Sequence, residues 1–180
     1  MKIIWVLATM TALLGTPNLM VDFGEKQEGS QWKVINDGVM GGLSKGKLLI
    51  KQETMLFQGN VSLDNYGGFT SMKSPFEKMD LSDFEKVKIR MTASGQTFSM
   101  TFETDETWFA PYFKAPLATI SNEWQVIEVS LDQFKQYQLG QSDGRAINKG
   151  DLANVFRLGI ITSQKKAGTF ELEVDYIRFE

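Results

Sequence analysis

The chain has 180 residues, 42% of them hydrophobic, with 19 basic and 22 acidic side chains and a formal net charge of −3. That is enough for one domain with one core, and it argues against a nucleic-acid partner, which asks for a basic face. The absence of cysteine and histidine excludes disulfides, thiolate metal sites and cysteine nucleophiles, and removes the commonest general base, zinc ligand and pH switch.

At the N-terminus Lys2 precedes a run of about 12 mostly apolar residues from Ile3 to Leu14, then Gly15-Thr16-Pro17. The segment has the outline of a secretory signal peptide and is short for a transmembrane helix. Residues 1–16 are therefore expected to be an export signal and residues 17–180 a single domain. The expected location is outside the cytoplasm or periplasmic, without stable membrane insertion of the mature domain. The alternative is a cytoplasmic protein in which this run is an apolar first element.

Beyond residue 18 the pattern is strand after strand. Leu19–Phe23, Trp32–Asn36, Lys47–Lys51 and Met55–Leu63 come first. Asp64-Asn65-Tyr66-Gly67-Gly68 reads as a hairpin loop, because Asn and Gly tolerate positive φ, and Phe69–Ser74 returns from it. Val87, Ile89 and Met91 alternate with Lys88, Arg90 and Thr92, and Phe98, Met100 and Phe102 alternate with Ser99, Thr101 and Glu103. This period of two predicts strands with one face on a core, joined by Ser94-Gly95-Gln96 as a hairpin. Leu131–Tyr137 is expected to make one or two helical turns. Gly150–Val155 is expected to be a short capped turn. Strands are also expected at Trp124–Leu131, Phe156–Thr162 and Thr169–Phe179, the last with a bulge where Ile177 and Phe179 break phase. About eight to ten strands with short turns imply an all-β, antiparallel sandwich or jelly roll.

Several fragments in order resemble one known family. They are Trp32 with Asp37-Gly-Val-Met-Gly-Gly-Leu-Ser44, then Phe57-Gln-Gly59-Asn-Val61, and Tyr66-Gly67-Gly68-Phe69. Asp80-Leu81-Ser82, Trp124-Gln-Val126-Ile127, Leu158-Gly159-Ile160 and Gly168-Thr-Phe170 follow. Together they resemble the complex I intermediate-associated protein 30 family over about residues 19 to 179. The chain departs from the family pattern at Ala93-Ser94-Gly95 and at Ser130. The resemblance implies a jelly-roll sandwich of the galactose-binding-like type and a non-enzymatic, assembly-factor-like or chaperone-like module that recognises a protein partner. Its best-known members help assemble NADH:ubiquinone oxidoreductase. Export would separate this chain from that assembly, and the alternative is an exported carbohydrate-binding protein.

Two segments are candidate sites. In the Asp37 to Ser44 loop, glycine amides and the Ser44 hydroxyl could face a ligand. The same loop also reads as a structural corner in which Asp37 caps its own turn and Met40 plugs the sandwich end. The candidate binding residues there are Asp37, Met40, Gly41, Gly42 and Ser44, with Tyr66 nearby. In Thr107–Lys114, Trp108 and Tyr112 fall in one phase and Phe109 and Phe113 in the other, so one pair is expected to line a binding surface for a sugar or a partner, with Trp108 and Tyr112 as the candidate binding residues. Trp32 and Trp124 are expected in the core. The carboxylates Asp37, Glu103, Asp105, Glu106, Asp132 and Asp175 have no visible activating partner, so no catalytic residues are assigned and no enzyme is expected. No cofactor and no metal ligands are expected. Asp22 and Asp175 are the nearest to a calcium ligand set.

Overall fold

The computed structural model describes residues 19–180 apart from Trp108. The expected export signal and Trp108 lie outside the described residues. Among the described residues thirteen strands follow in order. They are β1 (Leu19–Asp22), β2 (Lys33–Asn36), β3 (Lys45–Ile50), β4 (Met55–Val61) and β5 (Thr70–Lys73). Next come β6 (Lys86–Ser94), β7 (Phe98–Glu103), β8 (Tyr112–Leu117), β9 (Gln125–Ser130) and β10 (Lys135–Gln138). The last are β11 (Gln141–Ala146), β12 (Arg157–Thr162) and β13 (Gly168–Phe179), with a one-turn helix α1 (Lys149–Leu152) before β12.

The strands form two antiparallel sheets. One runs β3-β4-β13-β6-β9, with β1 also on β13, and the other runs β11-β10-β8-β7-β12-β5-β2. In β13, the first half holds β4 and the second half holds β1 on the same edge. The expected bulge is present as a register shift between Val174 and Tyr176 against β6. It lets Val174 and Ile177 both reach the core. Between the sheets the inward phase of β4, β6, β7, β8 and β13 is apolar. Phe102 stacks on Phe134 at 4.1 Å between centroids, and Phe170 meets Phe57 and Phe98 edge-on. Trp32 is buried against Phe23, as expected.

Four expectations are corrected. The Ser94-Gly95-Gln96 turn does not close a hairpin, since β6 and β7 belong to different sheets. Alternation fixes which face of a strand is buried and is silent about its neighbour. Asp64–Gly68 likewise carries the chain from β4 in one sheet to β5 in the other. Leu131–Tyr137 is a 3-10 turn over Leu131–Gln133 followed by β10. Trp124 is 44% exposed, with the Arg90 guanidinium 4.9 Å from its ring centroid. The capped turn is present as α1, whose Asn148 side chain accepts from the N–H groups of Gly150 and Asp151. Among the described residues no helix is long and apolar enough to cross a membrane.

Candidate functional site

Asp37 starts a 3-10 turn (Asp37–Met40) and is 1% exposed. It does not cap that turn. Its carboxylate reaches across the sandwich end and accepts four hydrogen bonds, from Ser44 N–H (3.0 Å), Ser44 Oγ (2.5 Å), Gly68 N–H (2.7 Å) and Phe69 N–H (3.3 Å). Ser44 Oγ in turn accepts from Ser62 N–H at 3.0 Å. Burial pushes the Asp37 carboxyl up, and the donors outweigh it and hold the group below its ordinary value. Two glycines are fixed by this clasp. A Cβ on Gly42 would lie 2.3 Å from Asp37 Cγ, and one on Gly67 would lie 2.6 Å from Asp37 Oδ2.

Asp37, Gly42 and Ser44 thus spend their polar groups on one another and join the β2–β3 and β4–β5 connections. Around them apolar side chains are exposed, interspersed with the exposed Lys45, Asp64 and Asn65. Met40 is 60% exposed rather than plugged into the sandwich end, which corrects that part of the corner reading, and Tyr66 is fully exposed. Leu43, next to Ser44, and Leu63, next to Ser62, are also exposed. Gly38 and Gly41 meet nothing within 4 Å of a built Cβ.

The second surface is the outer face of the seven-stranded sheet. In β8, Phe113, Ala115 and Leu117 point into the core, and Tyr112, Lys114 and Pro116 point out. The pairing registers extend this outward phase across the sheet. One row is Tyr137, Tyr112, Glu103 and Arg157 on β10, β8, β7 and β12. The next row is Lys135, Lys114, Thr101, Gly159, Lys73 and Lys33, on β10, β8, β7, β12, β5 and β2. The Tyr112 and Tyr137 rings stack at 6.1 Å with 26° between planes. Lys114 Nζ lies 3.9 Å from the Tyr137 centroid. Glu103 pairs with Lys73 and, at 3.3 Å, with Arg157. Burial, then the neighbouring Tyr137 and Glu103, push the Tyr112 phenol up, so it stays a neutral donor at ordinary pH. Burial holds the Lys114 ammonium below the usual lysine value.

Gly159 makes the floor of this face. A Cβ there would lie 2.5 Å from Thr101 Oγ1. The small side chains Ser71, Ser99 and Thr101 are buried between the longer ones around them. Of the candidate residues that the sequence suggests, Tyr112 is the one described on this face, while Phe113 is core and Phe109 is exposed in the preceding loop. Sequence reasoning misses Tyr137, Glu103, Lys114, Lys73 and Arg157 as binding residues, because their only signal is outward phase on an alternating strand. Among the described residues no group of three or more acidic side chains could hold a metal ion. Asp175 pairs with Arg90, and Asp22 accepts from Gly24 N–H.

The family model for Complex I intermediate-associated protein 30 matches residues 21–174. The chain belongs to this family. No curated protein matches the sequence. Among solved structures, the family member is similar to the family 11 carbohydrate-binding module of the cellulosomal cellulase Lic26A-Cel5E of Clostridium thermocellum. The TM-score is 0.65 at 17% identity, covering 91% of this chain and 94% of that one. The same organism's family 11 module in complex with a β-1,3-1,4-mixed-linked tetrasaccharide gives 0.62 at 16% identity, covering 90% and 94%. The agarase AgWH50C gives 0.53 at 11% identity, covering 91% of this chain and 24% of that one. At these identities the likeness establishes the galactose-binding-like jelly-roll fold.

Proposed function

We propose that this protein is a non-catalytic carbohydrate-binding module whose platform is the outer face of the seven-stranded sheet. The observation that carries the reading is the register row Tyr137, Tyr112, Glu103 and Arg157. It sets two tyrosines beside a paired carboxylate and guanidinium on an open, shallow surface. Aromatic rings offer a large apolar area with a polar tip, which suits the C–H face and hydroxyl rim of a pyranose. Glu103 accepts and Arg157, Tyr112 and Lys114 donate, so both hydrogen-bonding needs of a sugar hydroxyl are met. The likeness in fold to a module solved in complex with a β-1,3-1,4-mixed-linked tetrasaccharide supports a carbohydrate ligand. A glycan ligand also accords with residues 1–16 as an export signal.

Affinity electrophoresis through gels containing soluble polysaccharides tests this directly. The native chain should be retarded by at least one glycan, and Tyr137→Ala should lose that retardation while melting within a few degrees of the native chain. Retention of full binding in Tyr112→Ala and Tyr137→Ala together would refute the platform.

A second reading has its own observation. Met40, Leu43, Leu63 and Tyr66 are exposed around the Asp37 clasp. Such a patch on a rigid corner suits a protein partner, in keeping with the assembly role implied by the family's name. A co-purification from the native host that is lost on Tyr66→Ala and Met40→Ser, with sugar binding intact, would favour it.

A further inference from the structure

The outer face of the seven-stranded sheet carries a charge that the whole chain does not. The edge strand β11 adds one charge of each sign, Arg145 and Asp143; the other strands, β2, β5, β7, β8, β10 and β12, hold five cations, Lys33, Lys73, Lys114, Lys135 and Arg157, and one carboxylate, Glu103. All six lie on the outward phase. The chain as a whole carries −3, so acids outnumber bases over the rest of it. The acids nearest to these cations in sequence, Asp132, Asp37 and Glu77, lie outside the strands of this sheet.

The register makes this arrangement costly. Lys33 stands directly opposite Lys73, and Lys114 directly opposite Lys135. Like charges at directly opposed positions destabilise a sheet. Glu103 relieves Lys73. Lys114 has no carboxylate within ion-pair distance among the described residues and rests on the Tyr137 ring instead. On β6 and β13 of the other sheet the cations are paired. There Lys86, Lys88, Arg90 and Arg178 all pair with Glu128, Glu180 or Asp175. The lysine row crosses six strands, roughly 24 Å at the usual interstrand spacing. At its middle are Thr101 and Gly159, over which the Lys73 stem reaches across β12 to Glu103.

We infer that the ligand of this face is a polyanionic glycan, laid across the strands along the row Lys135, Lys114, Gly159, Lys73 and Lys33. This rests on the carbohydrate reading above and names its substrate class. Carboxylates or sulfate esters repeated along the chain match a repeated ammonium row. A charge-assisted hydrogen bond is stronger than the cation–π contact that now holds Lys114. A ligand anion therefore draws Lys114 off Tyr137 and uncovers that ring for the apolar face of a neighbouring sugar. Recognition of charge and recognition of the pyranose are thereby coupled through one lysine.

The test is titration calorimetry of the full-length protein, as it folds in its host, against four polymers. These are polygalacturonate, a sulfated galactan, a neutral mixed-linked β-1,3-1,4-glucan and single-stranded DNA. The expected result is binding to polygalacturonate or the sulfated galactan at least tenfold tighter than to the neutral glucan or the DNA. Which of the two wins tells carboxylate from sulfate. Lys114→Ala and Lys33→Ala should each weaken that binding about tenfold. Lys114→Arg should restore most of it, and urea midpoints should stay near the native value. If the neutral glucan binds as tightly as the acidic polymers, the anionic ligand class is overturned and the carbohydrate reading stands. If DNA binds as tightly as the best glycan, or if no glycan binds, both fall.

Discussion

Replacing Asp37 with Asn removes one carboxylate oxygen from a buried site and leaves its shape unchanged. In the native chain Oδ2 accepts from Ser44 Oγ, Gly68 N–H and Phe69 N–H, and Oδ1 accepts from Ser44 N–H. An amide NH2 in place of Oδ2 faces two backbone donors with a third. The Ser44 hydroxyl can turn to accept, but Gly68 N–H is stranded and the weaker Phe69 contact is lost. A stranded buried donor costs about 1–3 kcal/mol, and the lost charge adds to it. We expect about 3 kcal/mol at pH 7, which lowers the urea midpoint by about 1.5 M for a slope near 2 kcal/mol per M. The Asp37 carboxyl is held below its ordinary value in the folded state. Its contribution is therefore full above the unfolded pKa of about 3.9 and is lost as pH falls through the folded value. The gap between the native chain and Asp37→Asn should shrink on acidification from pH 4 downward. A loss under 1 kcal/mol at pH 7, or a gap undiminished at pH 2, would refute the clasp. Gly42→Ala supplies an internal check, since its Cβ would lie 2.3 Å from Asp37 Cγ. It should cost far less in an Asp37→Ala background than in the native one, a coupling that a double-mutant cycle reads.

Other consequences of the fold are equally measurable. Phe134→Ala removes a fully buried ring stacked on Phe102 at 4.1 Å and should lower stability by about 3–5 kcal/mol in chemical denaturation. Gly95→Ala combines φ +79° with a Cβ 2.1 Å from the Thr169 carbonyl oxygen. It should lower the melting temperature by many degrees, because the β6-to-β7 crossing can neither relax nor move away from backbone. Asn148→Ala deletes the capping box of α1 and should cost about 1 kcal/mol, with glycan binding unchanged.

Strand positions were largely legible, because Val87/Ile89/Met91 and Phe98/Met100/Phe102 each announce one buried face. Partnership was not, because the same alternation fits a hairpin and a crossing between sheets. Tyr137 was hidden for a related reason. Leu131-Asp-Gln-Phe134 does turn, and the short β10 after it carries too few residues to show a period. The lysine row was invisible for a stronger one. Lys33, Lys73, Lys114 and Lys135 are some 20 to 40 positions apart, and only cross-strand register aligns them. A net charge of −3 averages that row against acids that lie elsewhere. The Asp37 loop was legible as a corner, while its reach to Gly68 and Phe69 was not, since the two segments share no local pattern. Trp124 failed as a core residue because it stands just before β9, in phase with the exposed Val126 and Glu128, and Arg90 covers one ring face instead.

The central claim is that the open sheet face, and not the Asp37 corner, receives the glycan. Amide chemical-shift mapping of the 15N-labelled chain during titration with the glycan that binds best tests it most directly. The account predicts shifts concentrated at Thr101, Tyr112, Lys114, Tyr137 and Gly159, with Met40, Gly41 and Tyr66 unmoved. Shifts confined to Met40, Gly41 and Tyr66, with the sheet face silent, would contradict it.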